Sequence, residues 1–399
     1  MAARPPVVAG FRASGVRCGI KQRGPDLALV ASDGPATVAG LFTRSSVVGA
    51  PVELSRERVR VGRARAVVVN SGISNVAMGR RGLADAKRMT EWTARALGCD
   101  AREVLVASTG VIGKPLPLAK LARGIPAAVR ALAPDGLPRA ARAILTTDTR
   151  PKLAWRRIRL AARSVTLAGI AKGAGMIQPD LATMLVFLVT DAAIAPGLLR
   201  RLLRDAAEES FNRLTIDGET STSDTLLLFA NGRAGNSELR GSRSPGVGRF
   251  ADALGAICQD LARELARDGE GATRLVTVRV EEARSRVEAL RAARRIANSP
   301  LVKTAVFGAD PNWGRILQTV GAARVRVNLP RTEVRLAGIA VFRAGAPTGP
   351  AARERAGKRM RGAREVEIAV RLGAGRGSAR MWTCDYSYDY VRINAEYTT

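Results

Sequence analysis

An α/β class is predicted by three features of the sequence. Strand-like and helix-like stretches alternate along the chain. The hydrophobic share is 46% and the charged share 25%, the balance of a folded protein rather than a disordered one. With 399 residues, the chain exceeds one average core and calls for about two domains or lobes.

The elements follow in order. "AVVVN" (66–70) is a short β-branched run and reads as a strand. "LADAKRMTEWTARALG" reads as a helix from Leu83 that stops at Gly98, a good residue to follow a last helical turn. "EVLVA" (103–107) and "MLVFLV" (184–189) are further strands. "PGLLRRLLRDAAEESFN" opens on Pro196, which suits a first helical turn. The Gly/Ser/Arg-rich segment 231–249 reads as a surface loop. Phe250, Leu254, Ile257, Leu261 and Leu265 then recur at helical spacing, and Asp268-Gly269 ends that helix. "RLVTVRV" (274–280) is a strand, and no internal repeat is visible.

Composition excludes several kinds of chemistry. The chain has no histidine, so a Ser-His-Asp triad, a Cys-His pair and histidine-ligated zinc are all ruled out. Cys18, Cys99, Cys258 and Cys384 are scattered without a C-x-x-C pair and read as isolated thiols. The net charge is +29, but aromatics are only 4% and the arginines are spread. A solvated basic surface is expected rather than a nucleic-acid site, with 353–364 the nearest thing to a basic patch. The N-terminal stretch lacks the apolar core of a secretory signal, and "MLVFLV" is far short of a membrane span. A soluble, cytoplasmic protein is expected.

Several motifs carry candidate chemistry beside a plainer reading. "STGVIGKP" (108–115) can offer oxyanion donors or be a simple strand-to-helix turn; its glycine spacing is not that of a P-loop. "GAGRGS" (373–378) reads as a hairpin turn rather than a phosphate loop. In "GADPNWGRI" (308–316), Asp310, Asn312 and Arg315 are expected to tie an ordered loop together. Asp217, Glu219 and Asp224 lie among hydroxyls in 211–225; a capped turn is the safer reading than a metal site. Thr183, between "DLA" and "MLVFLV", fits an ordinary strand. The chemical alternative is a chain cut before Thr183. Its free α-amine, with a pKa of about 7.7–8.0, would then serve as a base for its own hydroxyl, with no need of histidine.

The blocks "GFRASGVRCGIK", "VVVNSG", "STGVIG", "TTDTRPK", "KGAGMIQPDLATML", "SFNRLTIDGETSTSDT", "SPLVKTAVFGADPNWGRI" and "WTCDYSYDYVRINAEYTT" run through nearly the whole chain. In this order they resemble the ornithine acetyltransferase family, the glutamate N-acetyltransferases of arginine biosynthesis. The resemblance implies self-cleavage at Ala182–Thr183, giving an alpha chain 1–182 and a beta chain 183–399. It implies that Thr183 is the nucleophile that moves acetyl from N2-acetyl-L-ornithine to L-glutamate through an acetyl-threonine ester, and that Thr109 and Gly110 form the oxyanion hole. Thr146, Lys172, Thr183, Glu270, Asn394 and Thr399 would bind substrate.

The implied fold is a layered αββα sandwich, as in ornithine acetyltransferases and self-cleaving aminopeptidases, with a second, smaller α/β lobe. The implied assembly is a heterotetramer of two alpha and two beta chains. No metal or cofactor is implied, and acetyl-CoA is admitted as a second donor. Two rival readings remain open: a self-cleaving aminopeptidase or amidase with water as acceptor, and a basic binding protein on the same scaffold.

Overall fold

The computed structural model describes residues 6–178 and 184–396. The larger lobe comprises β1 (Phe11–Val16), β2 (Leu27–Phe42), α1 (Ala50–Val59), β3 (Arg63–Ile73), α2 (Gly79–Leu97), β4 (Val104–Val111), α3 (Leu118–Arg130), α4 (Leu137–Ala143), β5 (Lys152–Leu160), β6 (Arg163–Lys172), β7 (Leu185–Thr190), α5 (Pro196–Glu208), β8 (Thr225–Ala230) and α6 (Val247–Arg267). The smaller lobe adds β9 (Leu275–Ala283), α7 (Arg286–Ala297), α8 (Pro300–Phe307), α9 (Trp313–Ala322), β10 (Glu333–Leu336), β11 (Ile339–Arg343), β12 (Ala346–Pro347), α10 (Pro350–Gly362), β13 (Glu365–Arg371), β14 (Gly377–Cys384) and α11 (Tyr388–Glu396).

One sheet of the order β4-β3-β2-β8-β7-β6-β5, with β1 on β2, makes the larger lobe. β2 pairs with β3 through Leu27–Ala31 and again at Ala36 and Thr37, and takes up β8 along Thr37–Phe42. Its register slips between Ala31 and Ala36, where Asp33-Gly34-Pro35 interrupts the run. Proline withholds a ladder donor and glycine eases a bend, so the strand turns there and divides the sheet into two leaves.

The leaves pack face to face. Val67, Val69 and Leu105 of one share a buried cluster with Ile170, Phe187, Leu227 and Phe229 of the other. Outside the first leaf, Leu29, Val68 and Val106 meet Leu54, Met89 and Ile125 of α1–α3. Outside the second, Val186, Leu188 and Leu228 meet Leu199 and Leu203 of α5 and Leu254, Ile257 and Leu261 of α6. The layers are helix, sheet, sheet, helix: the αββα sandwich is present, its two sheets joined into one through β2. β7 is buried on both faces, which is why its sequence is apolar throughout instead of alternating.

The smaller lobe is a six-stranded sheet, β12-β11-β10-β13-β9-β14, with its own core from Val278, Ile296, Ile316, Val320, Met360 and Ile368. Leu275, Trp382 and Cys384 at the ends of β9 and β14 join the core beneath α6 and tie the lobes together.

The expected elements are found, with two corrections. β4 continues to Val111, so Ser108, Thr109 and Gly110 lie on the strand and not in a turn. The segment 373–378 is no hairpin, because β13 and β14 flank β9 instead of pairing. It crosses the end of β9, where Ala374 N donates to Glu282 O at 2.8 Å. The basic segment 353–364 falls largely on α10, where Arg353 pairs with Asp310. Asn312 caps α9 by accepting from Arg315 N, so the "GADPNWGRI" residues do tie their loop. Among the described residues, no helix is long and apolar enough to cross a membrane.

Candidate active site

A cleft of about 340 Å³ collects Thr109 and Gly110 from the end of β4, Thr146 from the loop before β5, Lys172 from the end of β6, Glu270 after α6 and Asn394 from α11. These are six of the site residues that the sequence singles out. Ala182, Thr183 and Thr399 lie outside the described residues.

The floor is set by β3 and β4. Gly110 (φ 125°) lies against Gly72 (φ 108°), and a Cβ on Gly110 would fall 2.3 Å from the Gly72 carbonyl carbon. Both positions therefore need glycine. Ser108 Oγ donates to Asn70 Oδ1 at 2.6 Å, and Asn70 Nδ2 donates to Ile73 O at 2.8 Å. Asp26, fully buried, accepts from the amides of Cys18, Gly19, Ile20 and Lys21 at 2.6–3.0 Å. That fixes Lys21, whose Nζ donates to Leu145 O at 2.9 Å beside Thr146.

Beneath the cleft lies a buried ion cluster. Lys152 donates to both Asp148 and Asp268, and all three side chains are nearly closed to solvent. Asp148 also accepts from Gly173 N at 2.7 Å and Thr146 N at 3.2 Å, and Asp268 accepts from Thr149 N at 3.1 Å. Burial opposes the Asp148 charge, but the Lys152 and Lys172 ammonium groups and these hydrogen bonds outweigh it and hold the carboxyl below its ordinary range. Lys172 Nζ donates to Thr146 Oγ1 at 3.1 Å. Burial pulls its pKa below the usual lysine value, against the attraction of Asp148.

Glu270 is 9% exposed and lines the cleft together with Lys172. Its N donates to Ala174 O at 2.8 Å, and its Oε2 accepts from Asn394 Nδ2 at 3.0 Å. α11 is docked by Ser387 Oγ, which donates to Gly271 O. Gly271 has φ 66°, and a Cβ there would lie 2.4 Å from Tyr390 N. Gly271→Ala is therefore expected to loosen α11, with a backbone cost of about 1–2 kcal/mol. Substrate KM should rise several-fold while the melting temperature falls only modestly, as read by steady-state kinetics beside a thermal melt.

In the 211–225 turn, Asp217 Oδ1 accepts from Glu219 N at 3.2 Å, so the capped-turn reading holds for it, and the same carboxylate accepts from Met176 N at 2.6 Å and Ile177 N at 2.8 Å. Among the described residues, no group of three His, Cys, Asp or Glu is placed to hold a metal. The cleft thus offers a cation, an anion and the Thr109–Gly110 edge within one small volume. This suits a zwitterionic ligand and a developing oxyanion.

The family model of the ArgJ family matches residues 12–399. The chain belongs to the ArgJ family. The arginine biosynthesis bifunctional protein ArgJ of Symbiobacterium thermophilum is 46% identical over 397 residues, covering 98% of this chain and 97% of its own. That of Geobacter sulfurreducens is 47% identical over 393 residues, covering 98% of this chain and 100% of its own. The crystal structure of the ArgJ of Bacillus halodurans matches with a TM-score of 0.50 and 42% identity, over 52% of this chain and 96% of that one.

In this ArgJ-family enzyme, sequence reasoning did not reach Asp26 or Lys152, nor the parts that Asp148 and Asp268 play. Asp148 and Lys152 stand inside the quoted block "TTDTRPK". No periodicity marks them, because their meaning depends on a residue 116 positions away in Lys152's case.

Proposed function

We propose that this chain cuts itself between Ala182 and Thr183 and that Thr183 then carries acetyl from N2-acetyl-L-ornithine to L-glutamate. The observation that supports this is the convergence of Thr109, Gly110, Thr146, Lys172, Glu270 and Asn394 on one cleft. The Bacillus halodurans chain is accounted for by 52% of this one, close to the share that 183–399 makes up.

Cleavage begins when Thr183 Oγ attacks the Ala182 carbonyl carbon. The amide C–N bond breaks, an ester forms, and water opens it. The freed α-amine takes the Thr183 hydroxyl proton as Oγ attacks the acetyl carbonyl. Donors at Thr109 and Gly110 stabilise the tetrahedral oxyanion. The amine passes its proton to the departing ornithine nitrogen, leaving acetyl-threonine. The glutamate amine then takes the acetyl group in a ping-pong cycle. Lys172 holds the substrate α-carboxylate, with Thr146 beside it. Glu270, steadied by Asn394, holds the side-chain ammonium of ornithine, and Thr399 completes the substrate set. Acetyl-CoA is a second donor, in keeping with the bifunctional name of the relatives. Two copies of 1–182 and two of 183–399 form the working assembly.

Intact mass under denaturing conditions, followed by acetyl transfer assays with and without glutamate, tests this. Two chains of 1–182 and 183–399 and a glutamate-dependent release of ornithine are expected. A folded, uncut chain, or hydrolysis indifferent to glutamate, would overturn the reading. Lys172→Met removes a charged hydrogen bond of about 1.5–3 kcal/mol. It should lower kcat/KM for both amino acids by about 10- to 100-fold. Because burial lowers the Lys172 pKa, wild-type KM should also climb with alkaline pH earlier than an ordinary lysine allows.

A further inference from the structure

Two polar atoms near this cleft are not used by the mechanism above. Asp224 is 2% exposed and Ser223 8%. Asp224 Oδ2 and Ser223 Oγ are buried and have no hydrogen-bond partner among the described residues. Proteins rarely bury such atoms without a water or a functional reason. Both residues line a recess of about 30 Å³ together with Thr109, Lys172 and Met184. That volume admits one water molecule, and the lining supplies the polar partners a water needs.

Strand register gives the recess its meaning. β7 and β8 are parallel, with Leu185 opposite Thr225. Thr225 N donates to Met184 O at 2.9 Å. Asp224 therefore stands just ahead of β8 as Met184 stands just ahead of β7, and Met184 directly follows Thr183 in the sequence. Thr43 N donates to Asp224 O at 3.2 Å and holds the backbone there.

We propose that Asp224 and Ser223 bind and activate the water that opens the ester formed during self-cleavage. This rests on the cleavage proposed above and assigns a base to the ester-opening step, for which none is named there. In the ester, the Ala182 carbonyl carbon is bonded to Thr183 Oγ. The water oxygen bonds to that carbon as its proton passes to the Asp224 carboxylate. The C–Oγ bond then breaks, and Oγ takes the proton from Asp224. One water is consumed, a carboxyl and a hydroxyl are formed, and Asp224 is restored. Burial pushes the Asp224 carboxyl well above the usual range, against Ser221 and Lys172. This brings its proton exchange closer to neutral pH, as a general base requires.

The test follows conversion of freshly synthesised full-length chain by intact mass. It compares wild type, Asp224→Asn and Ser223→Ala in a cell-free system. D224N should convert at least about 100-fold more slowly. It should stall as an ester that neutral hydroxylamine, which attacks esters and spares ordinary amides, splits at 182–183 with a hydroxamate left on Ala182. Asparagine keeps the shape and removes a buried charge, so the melting temperature should not fall. D224N converting at the wild-type rate overturns the proposal. So does a folded, uncut D224N chain that resists hydroxylamine, since the block would then lie at the amide attack. If D224N does not fold, S223A carries the test: a slower, hydroxylamine-sensitive conversion supports the water site, and wild-type speed overturns it. A wild type that never cuts overturns the parent reading instead, so the two failures are distinguishable.

Discussion

Thr183→Ala is expected to yield a single uncut chain without measurable acetyl transfer, a loss on the order of 10⁴-fold or more. The side chain is needed twice in the proposed chemistry. Without its hydroxyl there is no attack on Ala182, and without that cut there is no free α-amine at position 183. The chain has no histidine to stand in as the base. An α-amine with a pKa of about 7.7–8.0 is therefore the group suited to take the proton near neutrality. Thr183→Ser keeps a hydroxyl and should still cut, more slowly, and transfer acetyl. Intact mass and a single-turnover acetylation read both variants. Two chains from the alanine variant would remove Thr183 from the reaction.

Lys152→Met is expected to cost about 3–5 kcal/mol, because it strands Asp148 and Asp268 as buried charges with no cation between them. Methionine fills the space but supplies no donor. The loss should show as a lower urea midpoint, and activity should fall even in the folded fraction, since Asp148 also holds Thr146 N and Gly173 N.

The pH dependence gives a second readout. The native pKa of Asp148 is depressed. Its contribution is thus fully present above the unfolded value of about 3.9 and is lost as pH falls through the native value. In the variant, the Asp148 carboxyl loses the Lys152 ammonium that offsets its burial and prefers the neutral form, so mild acidification should stabilise it relative to neutral pH. A wild-type midpoint in Lys152→Met would mean that the cluster carries no stability.

Local pattern made much of the fold legible. Apolar runs located β3, β4, β7 and β9, helical spacing located α6, and Gly98, with φ 67°, closes α2 as expected. The family resemblance brought Lys172, Glu270 and Asn394 into consideration, and all three line the cleft. Other features could not be read this way. "GAGRGS" has turn chemistry, but only strand order shows that β9 lies between the strands it connects. "STG" looks like a turn because of its glycine, yet pairing with Gly72 keeps it in the sheet. Asn394 stands near the end of the chain, and only the docking of α11 on Gly271 and Glu270 brings it to the cleft.

The sequence by itself determined what chemistry is available: no imidazole, one threonine just ahead of an apolar strand-like run, and short-range periods that set helices and strands. These are properties of neighbours a few residues apart, where side-chain direction follows backbone repeat. The tertiary structure decided what those groups meet. The bend in β2 folds one sheet into two leaves, Lys152 finds Asp268, and Asp224 comes level with Met184. Such pairings join distant segments, and their charge states depend on burial and partners that exist only once the chain is folded.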